Sequence, residues 1–281
     1  MIEMKRKESI KWVIGVSIGF ALLLALALPI RSFLGGFMEN ENEVKLTAGI
    51  ITRLVMFIIL VYIVRRLNFS TFLGLKGAFK IRQVQALLIP LVIVLMTIFG
   101  DMSTYVDAGN KLLTLFLIGN LLVALVEELA FRAIILPLLI QIRSDKKRVL
   151  LVSVVMTSLI FGVLHYLNLF REPDNVSGIT SQVIFASSIG IYLGGLLLRT
   201  RHIIFPIVIH FLINVAFGKS VLMPEKNDVV TKVIETSTDW ASLLLTLGIF
   251  GFIAAGGVFM VGQVNKEDIL SSVIIKTEDY D

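Results

Sequence analysis

Glu127, Glu128 and Arg132 lie inside one apolar run, residues 112–140, where three ionisable side chains have no solvent to meet. Each costs about 2.5–3.5 kcal/mol near the centre of a membrane helix, or on the order of 7–10 kcal/mol for the three. The surrounding Leu, Ile, Val and Phe residues offset this by about 0.3–0.6 kcal/mol apiece. The run can therefore insert, provided its charges face a bundle interior or a wet cavity. On a helix Glu128 and Arg132 are four positions apart and share a face, which suits an ion pair. Glu127 is rotated by about 100° from Glu128 and about 140° from Arg132. Its carboxylate is left to face another group, as a general base would. A charged cluster that merely ties helices together is the competing reading.

The histidines extend the pattern. Only three exist, and His202 falls at the edge of a run beside Arg199 and Arg201, an interfacial position. His165 and His210 lie within apolar runs, and either alone reads as a hydrogen-bonded packing residue. Asn214 changes that reading, because it is four residues after His210 and projects from the same helical face. Asn168 is nearby but closer to the end of its run. A dry bundle has little reason to collect a carboxylate, two imidazoles and an amide on three helices.

Together these residues resemble the CAAX-protease and bacteriocin-processing (Abi) family of intramembrane proteases. Its signatures are E-E-x-x-x-R, F-x-x-x-H and H-x-x-x-N, each on a separate membrane helix. Here they read Glu127-Glu128-Leu129-Ala130-Phe131-Arg132, Phe161-Gly162-Val163-Leu164-His165 and His210-Phe211-Leu212-Ile213-Asn214. Each alone is weak; the three in order, each inside a run, are specific. The resemblance covers about residues 111–218, and Leu73-Gly74-Leu75-Lys76 also looks typical of bacterial members. It implies a glutamate-dependent peptidase in which Glu127 and His165 activate a water while His210 and Asn214 stabilise the oxyanion. Glu128, Arg132 and Phe161 would support the site. The family was long described as metalloproteases, and Glu127, His165 and His210 could make a zinc site with an open position. The version without a cofactor is preferred, because an amide donor beside His210 suits an oxyanion hole.

The elements that must position these groups are membrane helices. Of the 281 residues 56% are hydrophobic and only 17% charged, with a mean hydropathy of +0.89. That excludes ordinary soluble, disordered and nucleic-acid-binding classes. There is no cysteine, hence no disulfide and no thiolate chemistry. Eight spans are expected, at 12–30, 48–64, 84–100, 112–140, 149–170, 180–198, 202–218 and 240–264, each near or above the roughly 20 residues that cross a bilayer. The 112–140 segment, about 43 Å long, must tilt, project beyond the bilayer or bend near Pro137. The first run is too long for a signal-peptide core and lacks a clear cleavage site. Alternate loops hold 17 basic residues against 7, which places both termini in the cytoplasm. The loop 68–83, with Phe69, Phe72, Leu73, Leu75, Phe79 and Ile81 among its basic residues, is expected to lie at the cytoplasmic interface.

The fold class is thus an all-α membrane protein, a polytopic bundle of about eight transmembrane helices. Residues 1–281 form a single integral-membrane domain, with 111–218 as its catalytic core. Gly15-Val16-Ser17-Ile18-Gly19 matches the serine-hydrolase pattern G-x-S-x-G, but that pattern needs a strand-to-helix elbow. Its glycines, like Gly190 and Gly194, suit close helix packing instead. No H-E-x-x-H zinc motif and no intramembrane pair of aspartates occurs. The expected partners are a peptide or membrane-protein substrate and the lipid bilayer, with no nucleic acid, in a multi-pass protein of a bacterial plasma membrane. The competing functions are a non-proteolytic membrane scaffold or regulator, a bacteriocin self-immunity protein, and a transporter that uses Glu127 and the histidines as a proton relay.

Overall fold

The computed structural model describes residues 6–75, 87–223 and 240–274. Among them every regular element is helical: α1 Arg6–Ala25, α2 Ala27–Leu34, α3 Glu41–Leu67, α4 Leu88–Gly100, α5 Met102–Asp107, α6 Asn110–Glu128, α7 Leu136–Ile142, α8 Val149–Leu164, α9 Val176–Thr200, α10 Ile204–Phe217, α11 Trp240–Gly262 and α12 Lys266–Val273. A π-helical turn, Leu129–Ile135, joins α6 to α7, and 3-10 turns follow α8 (His165–Phe170) and α10 (Lys219–Leu222).

Six stretches among the described residues are long and apolar enough to cross a membrane: Arg6–Leu34, Glu41–Leu67, Asn110–Ile142, Val149–Phe170, Val176–Thr200 and Leu244–Gly262. They correspond to six of the eight expected spans. The third and seventh are shorter than expected. α4 has 13 residues and α10 has 14, about 20 Å each against a hydrocarbon core of about 30 Å. They pack against each other, and α10 also lies against α6 and α9. Residues 84–86 of the expected third span lie outside the described residues.

Two prolines explain the breaks in the long spans. Pro29 has no N–H to offer the carbonyl of Ala25, and α1 ends at that residue before α2 resumes. Pro137 likewise leaves the carbonyl of Ala133 without its α-helical donor. The π-helical turn ends immediately before it, and its register lets a carbonyl reach a donor five residues on. All seven residues of that turn are buried, so the most interior part of the bundle is also its most irregular.

Glycine packing divides in two. At Gly190 an added Cβ would sit 2.9 Å from the Cβ of Ser158, and at Gly194 2.9 Å from Cγ1 of Val154, so α8 and α9 touch along this stripe as expected. A Cβ on Gly257 would lie 2.6 Å from the Ile191 carbonyl carbon, which brings α11 equally close to α9. Gly15 and Gly19 do not behave this way. An added Cβ at either meets nothing within 4 Å, which corrects the expectation of close packing there. Between them Ser17 donates to the Val13 carbonyl at 2.8 Å within an unbroken helix, so there is no nucleophile elbow.

The expected interfacial loop is also corrected. Phe69, Phe72 and Leu73 are buried in the core rather than spread on a surface. The Ile203 N–H donates to the Leu73 carbonyl at 3.1 Å. Gly74, with φ +70°, presses against the backbone of Arg201 and His202, so this turn braces the start of α10. Leu75 is exposed, while Phe79 and Ile81 lie outside the described residues. Beneath the bundle, Gln141 accepts from Ser9 Oγ (3.4 Å) and donates to the Val273 carbonyl (3.1 Å), tying α1 and α12 to α7.

The glycine contrast gives a direct test. Gly257→Ala should overpack the α9–α11 contact and destabilise by about 1–3 kcal/mol. Gly15→Ala should be neutral or stabilising by about 0.5–1 kcal/mol. Thermal melts of the detergent-solubilised protein compare the two, and equal melting temperatures would contradict this packing.

Candidate active site

The last turn of α6 carries two adjacent glutamates into different surroundings. Glu128 is fully buried, and its Oε1 stands 3.0 Å from Nη1 of Arg132 and 2.8 Å from Nδ1 of His210. A carboxylate beside a guanidinium only accepts, so Nδ1 of His210 carries the proton. Arg132 is 1% exposed. Besides Glu128 it has Gly190, whose carbonyl accepts from Nη2 at 3.3 Å, and Phe161, whose ring centroid lies 4.9 Å from the guanidinium carbon. The close approach of α8 to α9 at Gly190 therefore also presents an acceptor to the buried cation.

Glu127 points elsewhere. Its side chain is 17% exposed, and its Oε2 lies 3.4 Å from Nε2 of His210. The imidazole of His210 thus stands between the two glutamates, one on each ring nitrogen. His165 Nδ1 lies 3.0 Å from the Phe161 carbonyl, which can only accept. Nδ1 is therefore the protonated nitrogen, and a neutral His165 keeps its lone pair on Nε2. Phe161 sits at the centre of this arrangement. The His165 ring meets it edge-on with centroids 4.9 Å apart, the His210 ring at 6.1 Å, and Phe131 at 4.9 Å.

Asn214, one turn after His210, has a buried Nδ2 with no hydrogen-bond partner. An unused buried donor costs about 1–3 kcal/mol, and here it lies on the face that carries His210. The end of its helix is held from outside: the Gly218 N–H donates to the Asn214 carbonyl at 2.8 Å, and the Tyr105 hydroxyl donates to the Val215 carbonyl at 3.0 Å. His202 has a local role, its Nδ1 accepting the Ile204 N–H at 3.2 Å. Asn168 donates to Gln182 Oε1 at 2.9 Å.

Residues 109–216 match the family model described as Type II CAAX prenyl endopeptidase Rce1-like. The match spans 108 of the 281 residues. The match takes in all seven motif positions and is consistent with a CAAX-protease and bacteriocin-processing intramembrane protease. No curated protein and no solved structure matches the chain.

Within this Rce1-like segment the suggested zinc set does not fit. Among the described residues no three His, Cys, Asp or Glu side chains stand where they could hold a metal together. His210 directs Nδ1 at Glu128 and Nε2 at Glu127, which leaves neither ring nitrogen turned to a site shared with His165.

Two polar residues beside the motifs were not singled out from the sequence. Asn120 is seven residues before Glu127, hence on the same face of α6; its Nδ2 donates to the Phe116 carbonyl at 2.8 Å. Arg53, on α3, belongs to the span that packs on α6 and the π-helical turn. Its signal in the sequence was a second arginine inside an apolar run, four residues after Gly49 and three before Met56.

The unequal glutamates give a stability prediction. Glu128→Gln leaves Arg132 buried without its counter-charge and should cost about 3–5 kcal/mol. Adding Arg132→Met removes the stranded cation and should restore much of the loss. Melting temperatures of the single and double variants check this; a double variant no better than the single would contradict the pairing.

Proposed function

We propose that the chain is an intramembrane endopeptidase that hydrolyses peptide bonds of a peptide or membrane-protein substrate. The family match supports a peptidase of the CAAX type. The observation that carries the residue-level reading is the division between neighbouring carboxylates. Glu128 is committed to Arg132 and His210, while Glu127 is partly accessible and has no guanidinium bound to it.

In this reading Glu127 and Nε2 of His165 accept hydrogen bonds from one water, and Glu127 takes its proton as the oxygen attacks the scissile carbonyl. The carbonyl oxygen becomes the oxyanion and receives hydrogen bonds from Asn214 Nδ2 and from Nε2–H of a doubly protonated His210, whose Nδ1–H stays on Glu128. Glu128 sets the His210 ring by accepting from Nδ1. As the tetrahedral species collapses, Glu127 returns the proton to the leaving amine. Phe161 and Arg132 keep both imidazoles at their stations. No cofactor takes part.

The test uses purified full-length protein and a degenerate synthetic peptide library, with cleavage read by mass spectrometry. Turnover should survive a metal chelator and should fall by roughly 10² or more in Glu127→Gln, with the melting temperature unchanged. Undiminished cleavage by Glu127→Gln would remove Glu127 from its role; proton-coupled uptake without cleavage would favour the transporter reading.

Loop charge supports cytoplasmic termini in a multi-pass plasma-membrane protein. Asp145 and Asp174 are both exposed, and the chain has no cysteine of its own. In intact cells an impermeant thiol reagent should label Asp174→Cys and spare Asp145→Cys. The opposite pattern would invert the orientation.

A further inference from the structure

α8 and α11 both close tightly on α9, α8 at Gly190 and Gly194 and α11 through Gly257. Where α8 begins and α11 ends, their own surfaces part, and a cavity of about 260 Å³ opens between them. Its apolar walls include Leu151 of α8 and Val258 and Val261 of α11. Its polar lining is entirely cationic: Lys147 and Arg148 from the turn before α8, and Lys266 from the first turn of α12. Among the described residues no carboxylate lines it.

The three cations are not spoken for by their neighbours. Asp145 pairs with Lys146 at 2.8 Å. Glu267 and Asp268 are exposed in the first turn of α12, where acidic side chains suit that helix's own N-terminus. The first turn of α8, another wall of the cavity, has neither a side-chain cap nor an acidic residue, so its end adds positive potential. Apolar surface leads from the cavity toward the middle of the spans. Leu151, Val155 and Leu159 follow one face of α8 at four-residue spacing, and Leu159 is 51% exposed. On α11, Val258, Leu247 and Leu244 are likewise exposed. In a membrane these side chains meet lipid tails.

We propose that this cavity holds the headgroup phosphate of an anionic glycerophospholipid, with its acyl chains laid along the apolar faces of α8 and α11. The volume suits a headgroup and falls short of the pockets that enclose larger ligands, about 300–1,000 Å³. Basic pockets between membrane helices recognise phospholipid headgroups through this combination of charge and apolar wall. A choline headgroup would instead bring a fourth cation to the three already present. A soluble phosphate would use the cations and leave the apolar faces without a role. The site lies outside the three motifs and does not depend on the peptidase reading.

The test uses the full-length protein, delipidated in a neutral detergent and offered phosphatidylglycerol or phosphatidylcholine with matched chains. Bound lipid is counted by native mass spectrometry. Wild type should retain phosphatidylglycerol over phosphatidylcholine by roughly 10²-fold, the scale of three basic side chains at a membrane anion. Lys147→Gln/Arg148→Gln/Lys266→Gln should lose most of that preference. Lys11→Gln/Arg65→Gln/Arg66→Gln removes three exposed cations from the same side of the membrane and should keep it. Val258→Trp leaves every charge in place but fills the cavity, and should weaken retention by roughly 10-fold or more. Glycerol 3-phosphate, a headgroup without chains, should not displace the lipid at equal concentration. Equal retention of the two lipids by wild type would overturn the site, whether or not the variants fold. Equal losses in both triple variants would reduce it to diffuse attraction by a basic surface, and undiminished retention by a folded Val258→Trp would move it out of this cavity. Displacement by glycerol 3-phosphate would make it a site for soluble phosphate and overturn the lipid assignment.

Discussion

A guanidinium cannot be left bare inside a lipid-embedded bundle, and Arg132 is almost completely buried there. It meets three groups: Glu128 one turn earlier, the Gly190 carbonyl on α9 and the Phe161 ring on α8. Each solution constrains the next. Glu128, once committed to Arg132, also fixes Nδ1 of His210, which turns Nε2 toward Glu127. Gly190 must lack a side chain so that α8 comes near, and Phe161 on α8 then lies against both imidazoles. The freedom of Glu127 follows from the captivity of Glu128.

The same network sets the limits of the reaction. Arg132 and Phe161 are buried, so the polar groups left to meet a substrate are Glu127, the half-buried His165 and Asn214, and Nε2 of His210 on the Glu127 side. Burial of these groups among apolar residues strengthens each electrostatic contact that a developing oxyanion would make. Stability and chemistry therefore draw on one set of contacts, and a change that loosens the ion pair also releases the imidazole.

Much of this was legible in the sequence because helical spacing is a geometric statement. Four residues between Glu128 and Arg132 put them on one face, and the 100° offset of Glu127 separated it from the pair. The positions of six spans followed from hydropathy alone. What the sequence could not show were contacts between helices. It placed His210 with Asn214, which is correct for one helix, but gave no sign that the ring would also bridge the two glutamates. Gly15 and Gly19 had the spacing of a packing motif, yet whether a neighbour occupies that face is a tertiary fact, and none does among the described residues. The aromatic loop read as interfacial because hydropathy cannot tell a surface-seeking Phe72 from one tucked under α10.

The central claim is that Glu127 is the group that does chemistry while Glu128 is the group that holds the site. Comparative mass spectrometry of membrane-associated and secreted peptides tests it in the cell, with wild type, Glu127→Gln and Glu128→Gln/Arg132→Met expressed at equal levels. The account predicts that a defined set of cleavage products vanishes with Glu127→Gln and persists, at reduced abundance, with the double variant. Identical peptide profiles for wild type and Glu127→Gln would contradict it.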